Sequence, residues 1–258
     1  SGMCYVLPSR DVIADSIELV AQAHQLDGLV FLSSCDKILP GMAMAMGRLN
    51  LPSVMVTGGP MLPGNFQGRT LSGGWEVREA TGKLKTGEIT QQEIDEMERS
   101  VCATVGSCPM MGTANTMSCL MEVLGLALPG GGTAHAVYAK KTRQAKESGM
   151  LAVKLVKENI RPRDLLTKAA LHNAMVVDMA IGGSSNSLLH LPAIAGEFGL
   201  KLNGKDFETI SETTPHLVNV KPSGAYSMID FDKAGGIPVV MKELGEQYLD
   251  LDVQAIDG

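Results

Sequence analysis

The stretch Ser33-Ser34-Cys35-Asp36-Lys37-Ile38-Leu39-Pro40-Gly41 sets a thiol, a carboxylate and an amine on consecutive residues. A second thiol stands in Gly106-Ser107-Cys108-Pro109-Met110-Met111-Gly112-Thr113-Ala114-Asn115-Thr116-Met117. Each cysteine follows an apolar run or a helix end and precedes a predicted helix, a place where backbone N–H groups and the positive helix end lower a thiol's pKa. Both therefore qualify as thiolate ligands. Beside Cys35, Asp36 offers a hard oxygen and Lys37 a nitrogen whose character changes on burial, so one turn can serve a soft metal and a hard one.

The remaining reactive residue types carry less. Cys119 lies inside a predicted helix among apolar residues, and Cys102 is read in the same way, as core. Cys4 carries no assignment. His24, His135, His172, His190 and His216 form no close metal-binding pair and are read as structural or exposed. The 16 methionines fall at helical spacing and read as core filler. Gly130-Gly131-Gly132 does not complete a dinucleotide fingerprint, and no P-loop occurs. Gly182-Gly183-Ser184-Ser185-Asn186 precedes an apolar helix. It is either a plain helix cap or an anion hold, which makes Ser184, Ser185 and Asn186 candidate substrate contacts.

The elements that must position these groups follow a βαβ rhythm. Ser9 is the expected N-cap of a first helix, which Asp27-Gly28 ends. Leu29-Val30-Phe31-Leu32 reads as a strand buried on both faces of a parallel sheet, with Cys35 just past its carboxyl end, where ligands of open α/β sheets sit. A Met-rich helix over 41–49 leads to a second buried strand, Ser53-Val54-Met55-Val56-Thr57. Residues 60–88 lose the pattern and read as a surface excursion without sheet. Thr90-Gln91-Gln92-Glu93 has the form of a capping box, whose helix delivers the chain to Cys108. Further helices are expected over 113–126, 134–157, 162–180, from Asn186 to about Ala195, around Phe207 to Glu212, and over 232–244. The fold class expected is α/β, a parallel sheet flanked by helices in three layers with a helix-rich second half, in a single domain over 1–258.

Composition narrows the function. With 45% hydrophobic and 19% charged residues the 258-residue chain has the make-up of a globular enzyme. A net charge of -6 and the lack of a basic cluster argue against nucleic acid as a partner. Five cysteines at irregular spacing read as cytosolic thiols and not as a disulfide framework. No apolar run reaches the ~20 residues that cross a bilayer, so a cytoplasmic protein with no membrane partner is expected. Ser1-Gly2-Met3 opens without an initiator methionine, and Leu249 to Gly258 ends on an apolar, strand-like stretch, so the chain is expected to be truncated at both ends.

Taken together, these blocks resemble the dihydroxy-acid dehydratase and 6-phosphogluconate dehydratase family of iron–sulfur hydro-lyases. The resemblance rests on Gly2-Met3 with Leu7-Pro8-Ser9-Arg10-Asp11, Cys35-Asp36-Lys37 with Pro40-Gly41, and Gly106-Ser107-Cys108 with Thr113-Ala114-Asn115-Thr116-Met117. It continues in Gly182 to Asn186 with Leu189-His190-Leu191, in Lys221-Pro222-Ser223-Gly224, and in Ala234-Gly235-Gly236-Ile237-Pro238.

The resemblance implies that Cys35 and Cys108 hold an iron–sulfur cluster, [2Fe–2S] or [4Fe–4S], with a third cysteine upstream of Gly2. It implies that Asp36 and Lys37, the latter carbamylated in relatives, hold Mg²⁺. A further carboxylate ligand of some relatives falls where this chain has Ser1. The family's serine base belongs to a C-terminal β-rich domain absent here, so no catalytic base is assigned and the piece alone is expected to be inactive. The implied reaction dehydrates a 2,3-dihydroxy acid to a 2-keto acid. The motifs look closest to the branched-chain amino-acid biosynthesis member, acting on 2,3-dihydroxy-3-methylbutanoate, and a homodimer is implied. An aldonate or 6-phosphogluconate dehydratase is the alternative, and a cluster-free small-molecule-binding module is the alternative of another class.

Overall fold

The computed structural model describes residues 2–257. After a 3-10 turn over Gly2–Tyr5, α1 (Val6–Ala23) leads to β1 (Leu29–Ser33), α2 (Ile38–Leu49) and β2 (Ser53–Thr57). A hairpin of β3 (Gly64–Phe66) and β4 (Arg69–Leu71) precedes α3 (Gly74–Thr86), α4 (Gln91–Ser100) and α5 (Thr113–Val123). Then come α6 (Ala139–Glu158), α7 (Pro162–Leu165), α8 (Lys168–Ala180) and α9 (Ser187–Glu197). The chain closes with α10 (Gly204–Thr213), α11 (Met228–Lys233) and α12 (Gly236–Tyr248), the last broken at Gly245. The second half is helical, as its periodicity predicts.

β1 and β2 pair in parallel, Leu29 opposite Ser53 through Ser33 opposite Thr57. Helices cover both faces. Phe31 and Met55 join the main core with α2 and α5, whereas Val54 packs with Ala152 and Leu155 of α6. β2 is buried throughout. β1 is not buried on both faces as its unbroken apolar run predicts: Val30 is 43% and Leu32 68% exposed. It is an edge strand, and edge position rather than composition decides its exposure.

The centre of the core is α5, in which every residue from Ala114 to Val123 is buried. Buried all round although it carries Asn115, Thr116, Ser118 and Glu122, it is an interior helix whose polar groups must find partners inside the protein. Its one carboxylate, Glu122, is satisfied by accepting from the N–H groups of Gly130 (2.6 Å) and Gly132 (2.9 Å). Lys141 completes the clamp on this turn by donating to Gly131 O (2.7 Å) and Thr57 Oγ1 (3.1 Å). α2 lies between α1 and α9. Gly41 permits the close approach to α1, since a Cβ there would stand 2.8 Å from Arg10 O. Arg48 fixes both neighbours through Asp15 (2.7 Å), Glu18 (2.9 Å) and Glu197 (2.7 Å).

Four other expectations change. Ser9 is not the N-cap but lies in the first turns of α1, its hydroxyl donating to Val6 O. Residues 60–88 form the hairpin and α3, and with α4 they bury a core of their own from Leu71, Ala80, Ile94, Met97 and Val101. Short strands and a polar helix exposing Trp75 hid this unit from a periodicity search. The Thr90 capping box is present, and Gly235 and Gly236, both at positive φ, split the predicted final helix in two. Leu249 to Ile256 is not a strand. Asn173 satisfies the backbone of Asp250 in both directions (2.7 and 2.8 Å), while Leu249 and Ile256 are buried.

Leu120, fully buried in α5, sets a stability test. Leu120→Ala is expected to lower unfolding free energy by about 2–5 kcal/mol, read from urea denaturation. A loss below ~1 kcal/mol would place the core elsewhere.

Candidate functional site

Cys35 sits in the turn between β1 and α2 with φ +78, a left-handed conformation that is rare without glycine. The surrounding bonds fix it: Gly58 N–H donates to Ser33 O (2.6 Å), and α2 begins at once with Lys37 as its cap residue. The thiol is thereby turned out to solvent, while Lys37 is buried and its Nζ donates to Asp36 Oδ2 at 3.2 Å.

The Cys108 loop is stitched to the extension of β2. Ser107 N–H donates to Gly59 O (3.0 Å) and Met61 N–H to Ser107 O (2.8 Å). Gly106, at φ +129, crosses so close to Met61 N that any Cβ would collide with it. From the other side Asn115, wholly buried on α5, donates to Cys108 O (2.5 Å) and Met110 O (2.6 Å) and accepts from Ser107 Oγ (2.8 Å). Met111 N–H donates to Lys221 O (2.7 Å), tying in the Lys221 turn.

The two loops meet. Partial burial pushes the Cys108 thiol up, and negative charge on Cys35, Cys102 and Asp36 pushes it further the same way. This reverses the expectation that a helix start lowers it, because desolvation and like charges outweigh the helix end. Cys102 is also corrected: it is exposed, not core, and it shares the field around Cys108. Cys119 is buried as expected. Groups that oppose one another's ionisation are groups whose charge a bound cation would relieve.

The donor set therefore suits a soft metal at Cys35 and Cys108 and offers a hard one the Asp36 carboxylate, with Lys37 able to join only after its ammonium is converted to an oxygen-bearing group. Among the described residues no group of three Cys, His, Asp or Glu side chains that could hold a metal occurs. Ser1, where relatives place another carboxylate, lies outside the described residues.

Behind Lys37 stands a pair that the sequence reading passed over. Arg10 on α1 reaches His190 Nδ1 (3.3 Å) and Leu189 O (3.1 Å) on α9. His190 is fully buried, and burial first, then the positive charges of Lys37 and Arg10, push its pKa down to about 4 against the opposing pull of Asp36. It is a neutral imidazole at physiological pH. Nothing in its spacing marks it; only the fold brings it to Lys37.

Of the candidate contacts Ser184, Ser185 and Asn186, the first and last have groups engaged within the protein. Ser184 N–H donates to Thr116 Oγ1 (2.9 Å), Ser184 Oγ pairs with Thr113 Oγ1 (2.9 Å), and Asn186 Nδ2 donates to Thr113 Oγ1 (2.8 Å). Their groups join the start of α9 to the start of α5, leaving Ser185 exposed. The joint couples the helix of His190 to the helix that follows Cys108.

With this geometry in view, the comparisons define the class. Residues 1–258 match the family described as dihydroxy-acid/6-phosphogluconate dehydratase N-terminal, and the chain belongs to that family. Among individual relatives, it is 51% identical over 259 residues to a dihydroxy-acid dehydratase of Halothermothrix orenii, covering 100% of this chain and 47% of the relative. It is 51% identical over 257 residues to dihydroxy-acid dehydratase 1 of Methanosarcina acetivorans, covering 100% and 46%. With a dihydroxy-acid dehydratase of Pyrococcus abyssi it shares 50% over 245 residues, 95% and 44%. The chain thus spans about half the length of the curated relatives it matches. Among the described residues no helix is long and apolar enough to cross a membrane.

Two tests follow from the site. Asn115→Leu would strand the Cys108 and Met110 carbonyls at about 1–3 kcal/mol each. Cys108 is then expected to alkylate at least several-fold faster while Cys35 keeps its rate, and equal rates at Cys108 would deny the clamp. Asp178, buried beneath the Gly183 turn, has its carboxyl pushed up by burial to about 7 from 3.8, with Ser187 offsetting part of the shift. Between those values the folded state keeps a proton that the unfolded chain has lost. Its contribution is therefore most favourable below pH 3.8 and falls as pH rises to about 7, by on the order of 4 kcal/mol in all. Asp178→Asn should be more stabilising relative to the parent at pH 8 than at pH 5 in urea unfolding, and a constant difference would refute the shift.

Proposed function

We propose that the full-length protein is an iron–sulfur and Mg²⁺-dependent hydro-lyase that converts 2,3-dihydroxy carboxylic acids to 2-keto acids. The substrate we favour is 2,3-dihydroxy-3-methylbutanoate, in branched-chain amino-acid biosynthesis, and the relatives named as dihydroxy-acid dehydratases support that choice over a sugar acid. The observation that carries the reading is that the loops of Cys35 and Cys108, more than seventy positions apart, are tied to neighbouring residues past the end of β2, by Gly58 N–H to Ser33 O (2.6 Å) and Ser107 N–H to Gly59 O (3.0 Å). A cytoplasmic homodimer completes the proposal.

In this reading Cys35 and Cys108 hold the cluster together with a further thiolate, and Asp36 and Lys37, the latter carbamylated, hold Mg²⁺. When bound, the two groups supply Lewis acidity for the carboxylate and hydroxyls of the substrate. The raised pKa of Cys108 means that its ligation releases a proton. Asn115 keeps the Cys108 carbonyl and sulfur in place, and the Thr113–Ser184 joint keeps that loop in register with α9. The reaction removes hydrogen from C2 and hydroxyl from C3 as one water, and the enol left behind tautomerises to the 2-keto acid without redox change. None of the residues described here is assigned as the base at C2, so the 258-residue piece alone is expected to be inactive.

Full-length protein purified without oxygen should contain iron and sulfide and release keto acid from the branched dihydroxy acid. Cys108→Ser should lose cluster iron and essentially all turnover, whereas Cys119→Ser, in the core, should retain both. Iron-free protein with no keto acid from any dihydroxy acid would defeat the proposal, and the reverse mutant pattern would reassign the ligands.

A further inference from the structure

Residues 64–101, from β3 through the end of α4, form a unit that stands apart from the rest of the fold. Its core of Leu71, Ala80, Ile94, Met97 and Val101 shares no residue with the main core. The chain enters and leaves it side by side, with Pro63 bridging Cys102 and Leu62 N–H donating to Thr104 Oγ1 (2.9 Å). A unit with its own core, held along one narrow neck, can swing as a body. The neck runs directly into the Cys108 loop.

The opposite side of the unit lies against that loop. A Cβ on Gly73 would stand 3.8 Å from Pro109 Cδ, and Trp75 and Met110 border one cavity of about 220 Å³. The seam is loosely made. Two more cavities, of about 490 and 280 Å³, open along it, and Lys221 borders all three. Ser72 Oγ and Glu76 Oε2 are buried beside Lys221 without a partner among the described residues, whereas a rigid interface leaves neither voids nor orphaned polar atoms. Among the described residues the side-chain hydrogen bonds that cross from unit to body both start at Lys221 Nζ, one to Glu76 Oε1 (2.9 Å) and one to Thr70 O (3.4 Å). The carbonyl of the same residue accepts from Met111 N–H (2.7 Å). Lys221 thus holds the unit with its side chain and the Cys108 loop with its backbone.

We infer that residues 64–101 are a hinged cover seated on the Cys108 loop, and that Lys221 is the positioning residue that couples the two: Glu76 latches its side chain, and its carbonyl holds Met111. A partly exposed ion pair is a weak latch, and opening brings water to Ser72 and Glu76, which offsets part of its loss. The cover therefore opens without either core unfolding, and the Cys108 loop loosens when it does.

Amide hydrogen exchange of the full-length protein, read by mass spectrometry, tests this coupling. Glu76 makes no hydrogen bond to the Cys108 loop, so its effect there must pass through Lys221. Glu76→Gln removes the charge yet keeps an oxygen for Ser72 N–H (2.8 Å). It and Lys221→Met are each expected to speed exchange in peptides containing Met111 by roughly 2–5-fold, and the double variant should be no faster than Lys221→Met alone. Lys221→Arg keeps the cation and should exchange close to the parental rate. Ile94 and Met97 in α4 and Leu120 in α5 should keep parental exchange in every variant. Parental exchange around Met111 in Glu76→Gln, or additive effects in the double variant, would leave Lys221 a local prop of its own turn and overturn the inference. Faster exchange at Ile94 and Met97 in step with Met111 would overturn it too, since the unit would then melt instead of swing.

Discussion

Two backbone hydrogen bonds, from Ser107 N–H to Gly59 O and from Met61 N–H to Ser107 O, carry the organisation of this protein. They pair the Cys108 loop in parallel with the extension of β2 just past its last strand residue, with Pro60 bridging Ser107. Cys35 leaves the end of β1, which Gly58 N–H ties to β2, and Cys108 enters beside Gly59 to Met61, so the chain just past β2 brings both loops to the carboxyl end of the sheet. The direction of a parallel sheet leaves its carboxyl end open for such use. Gly106 is required there because the crossing leaves no room for a side chain.

Around that edge the molecule spends its buried polar groups on holding loops still. Asn115 grips the Cys108 loop, Glu122 and Lys141 grip the turn after α5, and Thr113 and Thr116 grip the start of α9. All but Lys141 belong to α5 or its first turn, so the most buried helix doubles as the frame of the site. Burial makes these bonds effective and makes their loss costly, since an unpaired polar group in the interior finds no water. The burial that raises Cys108, Glu122 and Asp178 and lowers Lys141 and His190 has the same origin.

Much of this was legible from residue order. Strand β2, the helix that follows Cys35, the Thr90 capping box and the helical second half are local in origin, and periodicity and capping residues report local structure. Cys35, Asp36 and Cys108 were legible because strand ends and helix starts are where chemistry concentrates. What depends on tertiary position was not. The exposure of Val30 and Leu32 follows from β1 lying at an edge. The exposure of Cys102 and the shift of Cys108 follow from loops meeting across the chain. His190 looks like an ordinary apolar-face histidine until α1 and α9 are packed together. Ser184 to Asn186 left a helix cap and an anion hold open because the partners of Ser184 and Asn186, Thr113 and Thr116, lie about seventy residues away.

The claim beneath the whole account is that one metal cluster is shared by two sulfurs from distant loops. Anomalous scattering at the iron edge from crystals of anaerobically purified full-length protein measures this directly. The account predicts a single iron site group with sulfur atoms of both Cys35 and Cys108 within bonding distance, ~2.3 Å. Iron bound to neither sulfur, or to only one of them, would contradict it.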